Sequence, residues 1–305
     1  MSWITRFDTA APSNLDFRVM APCARLRPFV RYYWTLKSHG DPRATDEYLA
    51  PDGFEELIFS FVGRFRRTEH AGDVERTQFL DRSYVVGCKT TGVSCLRLSN
   101  QAMVGVKLRP NSLFSLLGLS LKELHGSPVT MDQLRVPRLR EIEDRLFEAR
   151  SDTQIKQVLD ELLTPDDLGR RSSAVVGLAV DRIFHERGAV GVGEMLRDID
   201  CHYRTAARTF EERVGISPKQ LARVIRFKHA FAALKAARTA RFLSPVDFGY
   251  FDASHFAKEF RLFTGKSSTA FFREPDALST RIFGFCHDVD IHRLDAERRT
   301  PMFAL

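Results

Sequence analysis

A gapless internal repeat constrains this chain more than any other feature. Residues 204–217 read Arg-Thr-Ala-Ala-Arg-Thr-Phe-Glu-Glu-Arg-Val-Gly-Ile-Ser, and residues 254–267 read Ser-His-Phe-Ala-Lys-Glu-Phe-Arg-Leu-Phe-Thr-Gly-Lys-Ser. An offset of 50 lays Arg208 on Lys258, Phe210 on Phe260, Gly215 on Gly265 and Ser217 on Ser267. Each unit reads as an amphipathic helix that stops at a glycine, the residue that best tolerates the left-handed conformation after a helix C-terminus. After the first unit, Ser217-Pro218 supplies an N-cap and a proline at the first helical position, so the next helix starts at once. Positions two apart on a helix point about 200° from each other. Phe210 and Phe260 can therefore face a core while Arg208 and Lys258 face outward.

In the first unit Arg204 shares the outward face with Arg208, and Ala207 lies beside them. In the second, Ser254 and Lys258 share it, with His255 and Arg261 nearby. A helix with aromatics on one side and Arg, Lys and Ser on the other suits the major groove of DNA. By composition alone such a helix is more often just a solvated face, and the repetition of the pattern is what argues against that reading. Segments 192–199 and 243–248 precede the two units and can each supply a supporting helix. Between the units, Leu221, Val224, Ile225, Lys228, Phe231 and Leu234 mark one long amphipathic connector over residues 218–237.

Charge tracks the repeat. The 305-residue chain carries a formal net charge of +7. Residues 1–169 hold 23 Lys+Arg against 23 Asp+Glu, whereas residues 170–273 hold 19 against 10. An excess confined to one segment suggests a polyanionic partner, phosphate first, although basic domains also bind membranes and acidic proteins. The five cysteines, Cys23, Cys88, Cys95, Cys201 and Cys286, are scattered without a CxxC pair. That argues against a disulfide framework or a zinc finger and favours a reducing cytoplasm. No stretch approaches the roughly 20 apolar residues of a membrane span, and the N-terminus lacks a secretory pattern.

Along the rest of the chain, residues 1–135 alternate short apolar runs with Gly, Pro and Asp punctuation, as in Phe54-Glu55-Glu56-Leu57-Ile58-Phe59 after Pro51-Asp52-Gly53. They predict a β-rich domain, with short helices at 112–119 and 122–124. Leu139, Ile142, Leu146, Ile155, Leu159 and Leu162 recur at helical spacing broken near Ser151, which predicts a helical pair and then a polar linker, together 136–173. Residues 174–275 read as an all-α domain with two helix-turn-helix units. Residues 276–305 form a tail with one expected strand at 281–286. The expected class is α+β, a β-rich N-terminal domain joined to an all-α C-terminal one.

At these residues the chain resembles the AraC family of bacterial transcription regulators. The pattern R-x-x-x-R-x-F-x-x-x-x-G-I-S-P stands here as residues 204–218, and G-Y-x-D-x-S-H-F-x-K-x-F-x-x-x-T-G as residues 249–265. The resemblance covers roughly 174–273. It implies that Arg204, Ala207 and Arg208 of the first unit, and Ala253, Ser254, His255 and Lys258 of the second, read base edges in two successive major grooves of double-stranded DNA, with Arg261 close by. Departures are Asp200 and His202 where Gly and Ser are usual, Ala206 for a core Leu, Pro245 within the second supporting helix, and Ser268 for a Pro. Pro22-x-x-x-Leu26-x-Pro28-Phe29-Val30 and Gly105-Val106-Lys107-Leu108-Arg109-Pro110 resemble an uncharacterised N-terminal domain of many such regulators. The resemblance implies a small-molecule effector or a homodimer contact there.

Catalysis finds little support: there is no GxSxG, no Walker-type loop and no HExxH, and His39, His70 and His125 stand alone. Cys23, Cys88 and Cys95 lack the paired spacing of a zinc-binding DNA-repair relative within the family. Cys286, Asp288, Asp290 and His292 would share one face of an extended tail, but a charged edge explains them better. Cys201 reads as a small core hydrophobe before a redox sensor. The expected protein is thus a cytoplasmic, sequence-specific DNA-binding regulator, with no enzyme activity, cofactor, metal or membrane partner. The alternative is a ligand-binding or protein-interaction module that keeps a degenerate DNA-binding domain.

Overall fold

Period-two patterning organises the first half of the chain. The computed structural model describes residues 15–38, 47–71, 74–124, 127–164, 173–199, 202–237 and 244–273. The linker residues 165–172, Asp200, Cys201, the expected strand at 281–286 and the Cys286–His292 face lie outside the described residues. The described strands are β1 (Leu15–Met20), β2 (Val30–Ser38), β3 (Glu47–Leu49), β4 (Glu55–Val62), β5 (Phe65–Ala71), β6 (Val74–Leu80), β7 (Tyr84–Val86), β8 (Gly92–Arg97), β9 (Gln101–Leu108) and β10 (Val129–Thr130). They form two sheets, ordered β1-β2-β9-β4-β7-β10 and β3-β8-β5-β6. Every strand pairing is antiparallel.

The larger sheet is buried on both faces. Along β9, Ala102, Val104, Val106 and Leu108 join one core, while Met103 joins the other. On β4, Leu57 and Phe59 face the first core and Ile58 the second. The second core lies between the two sheets and gathers Phe17, Tyr32, Trp34 and Leu36 with Phe65 and Leu80. Gly105 is dictated by it: a Cβ there would stand 1.9 Å from the Trp34 ring. The Trp34 Nε1 donates to Glu56 at 3.1 Å, so the buried indole has its partner.

Four helices, α1 (Ser112–Leu117), α2 (Met131–Leu134), α3 (Pro137–Glu148) and α4 (Asp152–Leu162), close the first core, which takes in Leu113, Leu116, Met131, Leu139, Ile142, Leu146, Ile155 and Leu159. The break between α3 and α4 falls where the spacing predicts it. Ser151 caps α4 by accepting the Gln154 N–H at 3.3 Å. The helical pair at 136–164 thus packs into the N-terminal core.

The second half is helical throughout its described length: α5 (Ala174–His185), α6 (Val192–Asp198), α7 (Tyr203–Arg213), α8 (Pro218–Ala237), a 3-10 turn (Pro245–Phe248), α9 (Ala253–Thr264) and α10 (Ser268–Phe271). α8 is shared between two cores. Its Leu221 and Ile225 join Val176, Ile183, Met195, Leu196, Ala206 and Phe210 in one. Its Val224, Phe227, Phe231 and Leu234 join Phe260, Phe263 and Phe271 in the other. Each core also takes side chains from the β-domain, Cys88 in the first and Tyr48 and Ala50 in the second. The β-rich and helical halves are therefore packed together, beyond their connection by the chain.

Candidate nucleic-acid interface

The repeat read from the sequence is a repeat in three dimensions. α7 and α9 are the two equivalent helices, and each ends on a glycine with positive φ, Gly215 at 78° and Gly265 at 73°. After each comes a serine that caps the next helix: Ser217 accepts the Gln220 N–H at 3.2 Å, and Ser267 the Ala270 N–H at 3.2 Å. Phe210 and Phe260 are fully buried. Around them Arg204, Arg208, Ala253, Ser254, Lys258 and Arg261 are exposed, while Ala207 and His255 are half-buried. The buried phenylalanines and exposed cations thus separate as the spacing predicts, with Arg208 and Lys258, two residues before Phe210 and Phe260, on the far side of their helices.

His255 is held more tightly than its neighbours. Its backbone N–H donates to Asp252 Oδ1 at 2.7 Å, which caps α9. Its ring packs edge-on against Tyr250 at 5.3 Å, and its Nε2 lies 3.9 Å from Glu259. Sequence reasoning did not single out Glu259, a carboxylate on α9 whose side chain is only 4% exposed, paired with Arg223 at 2.6 Å and Arg226 at 3.3 Å on α8. The Arg226 guanidinium also stacks over Tyr250 at 4.7 Å, and burial pushes the Tyr250 hydroxyl well above its ordinary pKa. Arg223, Arg226 and Glu259 carry no local signal of pairing, because the carboxylate sits on a different helix, 36 and 33 residues along the chain.

The supporting elements differ. α6 supplies a seven-residue helix before α7. Before α9 stands only the four-residue 3-10 turn, and Pro245 opens it at the first position, with Ser244 before it. The proline expected to interrupt a supporting helix instead starts a shorter one, a position where its missing N–H costs nothing.

The β-domain touches both equivalent helices at their C-terminal ends. At α7, Ser120 donates to the Glu212 carbonyl at 3.4 Å, Arg213 lies over the Phe114 ring at 4.2 Å, and Gly215 abuts Leu121. At α9, the buried Tyr48 hydroxyl donates to the Phe263 carbonyl at 3.0 Å. Gly92 approaches the same carbonyl so closely that a Cβ would stand 2.4 Å from it. Between these points Phe54 receives cations from both halves, Arg31 at 5.1 Å and Lys107 at 5.8 Å from the β-domain and Lys228 at 4.9 Å from α8. Lys228 on the apolar stripe of the connector is thereby explained: it is only 8% exposed and faces an aromatic ring.

A cavity of about 70 Å³ lies between the two sheets, lined by Trp34, Glu56, Arg67, Tyr84, Lys89 and Met103 among others. Its floor is charged. Lys89 reaches Glu56 at 3.4 Å and Asp52 at 3.6 Å, and Lys107 reaches Asp52 at 2.6 Å. Burial drives the Tyr84 hydroxyl far above its usual pKa, so it stays protonated. Leu49 on β3 and Val93, Cys95 and Arg97 on β8 form the opposite wall.

Among the described residues no helix is long and apolar enough to cross a membrane. Residues 195–274 match the family described as a helix-turn-helix domain, and residues 18–130 match a domain of unknown function, DUF6597. A search among curated proteins returns no match. Solved structures similar to this chain include ToxT from Vibrio cholerae O395, at 12% identity over 85% of this chain and 96% of that one, with a TM-score of 0.37. A second is the same protein bound to (E)-4-(8-methylnaphthalen-1-yl)but-3-enoic acid, at 11% identity over 85% and 98%, with a TM-score of 0.39.

Proposed function

We propose that this chain, which carries a helix-turn-helix domain behind a DUF6597 domain, is a sequence-specific AraC-type regulator of transcription whose α7 and α9 read two successive major grooves. The observation that carries this reading is the repeated geometry: two helices, each with a buried Phe, a left-handed terminal Gly and an exposed basic N-terminal half. Recognition helices of this type contact base edges with their N-terminal residues. Those residues here are Arg204, Ala207 and Arg208, then Ala253, Ser254, His255 and Lys258. The β-domain grips the opposite ends of both helices, so it can hold their orientation without covering what they read. On this reading the protein works in a bacterial cytoplasm, catalyses nothing itself, and pairs with a second copy through its β-domain.

Selection from random duplexes tests it directly. The full chain should enrich a bipartite site. Arg208→Ala should relax preference in one half and Lys258→Ala in the other, each at a cost of about 1–3 kcal/mol. Absence of any sequence preference, or indifference to both substitutions, would overturn the reading.

Control by a small effector in the inter-sheet cavity is the second part of the proposal. A ligand of ordinary size needs about 300 Å³ or more, so entry must move a wall. The larger sheet is backed by α1, α3 and α4, whereas the β3–β8 side carries the contacts of Tyr48 and Gly92 to α9. Displacing that side would shift the second reading helix. An effector that alters affinity for DNA should lose that influence in Tyr48→Phe, which deletes the bond to Phe263; retention of full influence would refute the route.

Two observations favour a different reading. His202 at the start of α7 makes no side-chain cap bond, and the second unit has only a 3-10 turn for support. A full chain that binds a metabolite or protein but ignores every duplex would select a module with a degenerate reader.

A further inference from the structure

The two reading helices border a common cleft of about 860 Å³ whose floor is α8. Val192 at the entry to α6 and Tyr203 at the start of α7 line one side, Lys258 and Leu262 of α9 the other, and Lys219, Arg223 and Arg226 of α8 the floor. Positions 219, 222, 223 and 226 fall on one stripe of a helix, at i, i+3, i+4 and i+7. The other side of α8 is committed. Leu221, Val224, Ile225 and Phe227 are buried, and Gly53 and Phe54 of the β-domain lie against Leu221, Ile225 and Lys228. The basic stripe is thus the side of α8 turned away from the β-domain and toward the space between the readers.

The cleft is strongly cationic. Its lining holds four full cations, Lys219, Arg223, Arg226 and Lys258, against the single carboxylate of Glu259, which leaves an excess of three charges. Arg226 is tied to Tyr250 and Glu259, and Arg223 also pairs with Glu259 at 2.6 Å, but the Arg223 side chain keeps 36% of its surface in solvent and Lys219 is exposed. Two readers set in successive major grooves on one side of a duplex lie one helical turn apart. What passes between them is the minor groove with its flanking phosphates. Resting on the DNA-binding reading above, we propose that this cleft seats the sugar–phosphate backbone between the two major-groove segments, with Lys219 and Arg223 as its phosphate contacts. Such contacts set register and affinity without reading sequence.

The test is the salt dependence of binding by the full chain, measured on its selected duplex and on an unrelated one. Each lost phosphate contact lowers the slope of log affinity against log salt by about 0.9. Lys219→Ala should show that decrease, weaken both duplexes by the same factor and leave the base preference unchanged. Arg223→Gln should do likewise. Arg140→Ala, which removes the same charge from α3 in the β-domain, should leave the slope as it is. If Lys219→Ala leaves the slope unchanged, behaves like Arg140→Ala, or alters preference at one base position, the inference is overturned while the DNA-binding reading stands. A wild-type chain that binds no duplex at all overturns both.

Discussion

In the first helix-turn-helix unit Ala206 and Phe210 sit in a mainly aliphatic core drawn from Val176, Ile183, Met195, Leu196, Leu221 and Ile225, with Phe184 as a second ring at its edge. In the second, rings stack on rings: Phe227 lies 4.6 Å from Phe263 and 5.6 Å from Phe260, with Phe231 and Phe271 completing the cluster. The first has a seven-residue supporting helix and an uncapped reading helix. The second has a four-residue 3-10 turn and a reading helix capped by Asp252. Aromatic side chains bury roughly 150–250 Å² each, so a few of them can replace apolar area that a longer supporting helix would have supplied. One unit is held by helix-to-helix packing and the other by large rings and a good cap, yet both present the same outward geometry.

That contrast can be broken most forcefully at Phe260. Phe260→Ala should cost about 3–5 kcal/mol, and hydrogen exchange should accelerate in α9 and α10 well before α5 and α7. Uniform acceleration would mean that the two units do not differ in what holds them. A smaller effect is expected at Ala206, which is fully buried. If the first unit has closed tightly around its small residue, Ala206→Leu should destabilise by about 1–3 kcal/mol; a rise in melting temperature would show instead that the unit is under-filled. The smallest effects concern the caps. Asp252→Ala should cost about 1 kcal/mol, while His202→Ser at the equivalent end of α7 should gain some tenths to about 1 kcal/mol. Equal signs at the two positions would erase the asymmetry.

The sequence makes the repeat legible because its determinants are local. Gly215 and Gly265 take the left-handed conformation that their place after a helix demands, and Ser217 and Ser267 cap the helices α8 and α10. The short apolar runs of β4 and β9, bounded by turn residues, likewise announce strands, and parity then fixes which core each residue faces. What stays hidden depends on partners far along the chain. Lys228 looks like a flaw in an apolar stripe until Phe54 is placed against it. Glu259 looks like one more surface acid until α8 brings Arg223 and Arg226 to it. The stripe from Lys219 to Arg226 reads as an ordinary solvated face, and only the positions of α7 and α9 on either side make it the floor of a cleft. Pro245 shows the opposite limit: a residue read as a helix breaker is in place as a helix opener, because the element it belongs to is shorter than the pattern suggests.

The approach of Gly92 to the Phe263 carbonyl has a consequence in genetic terms. A side chain of any size at position 92 would meet that oxygen at 2.4 Å and the Tyr48 hydroxyl at 2.1 Å. Any missense change at this one codon therefore forces the contact between Tyr48, β8 and α9 to rearrange, while the residues proposed to read DNA stay intact. On the proposed reading, coupling between the halves is then open to single-base mutation at a site away from the proposed DNA-reading residues and outside the cavity lining. A screen for variants whose output has become constant should return codon 92 before it returns either reading helix.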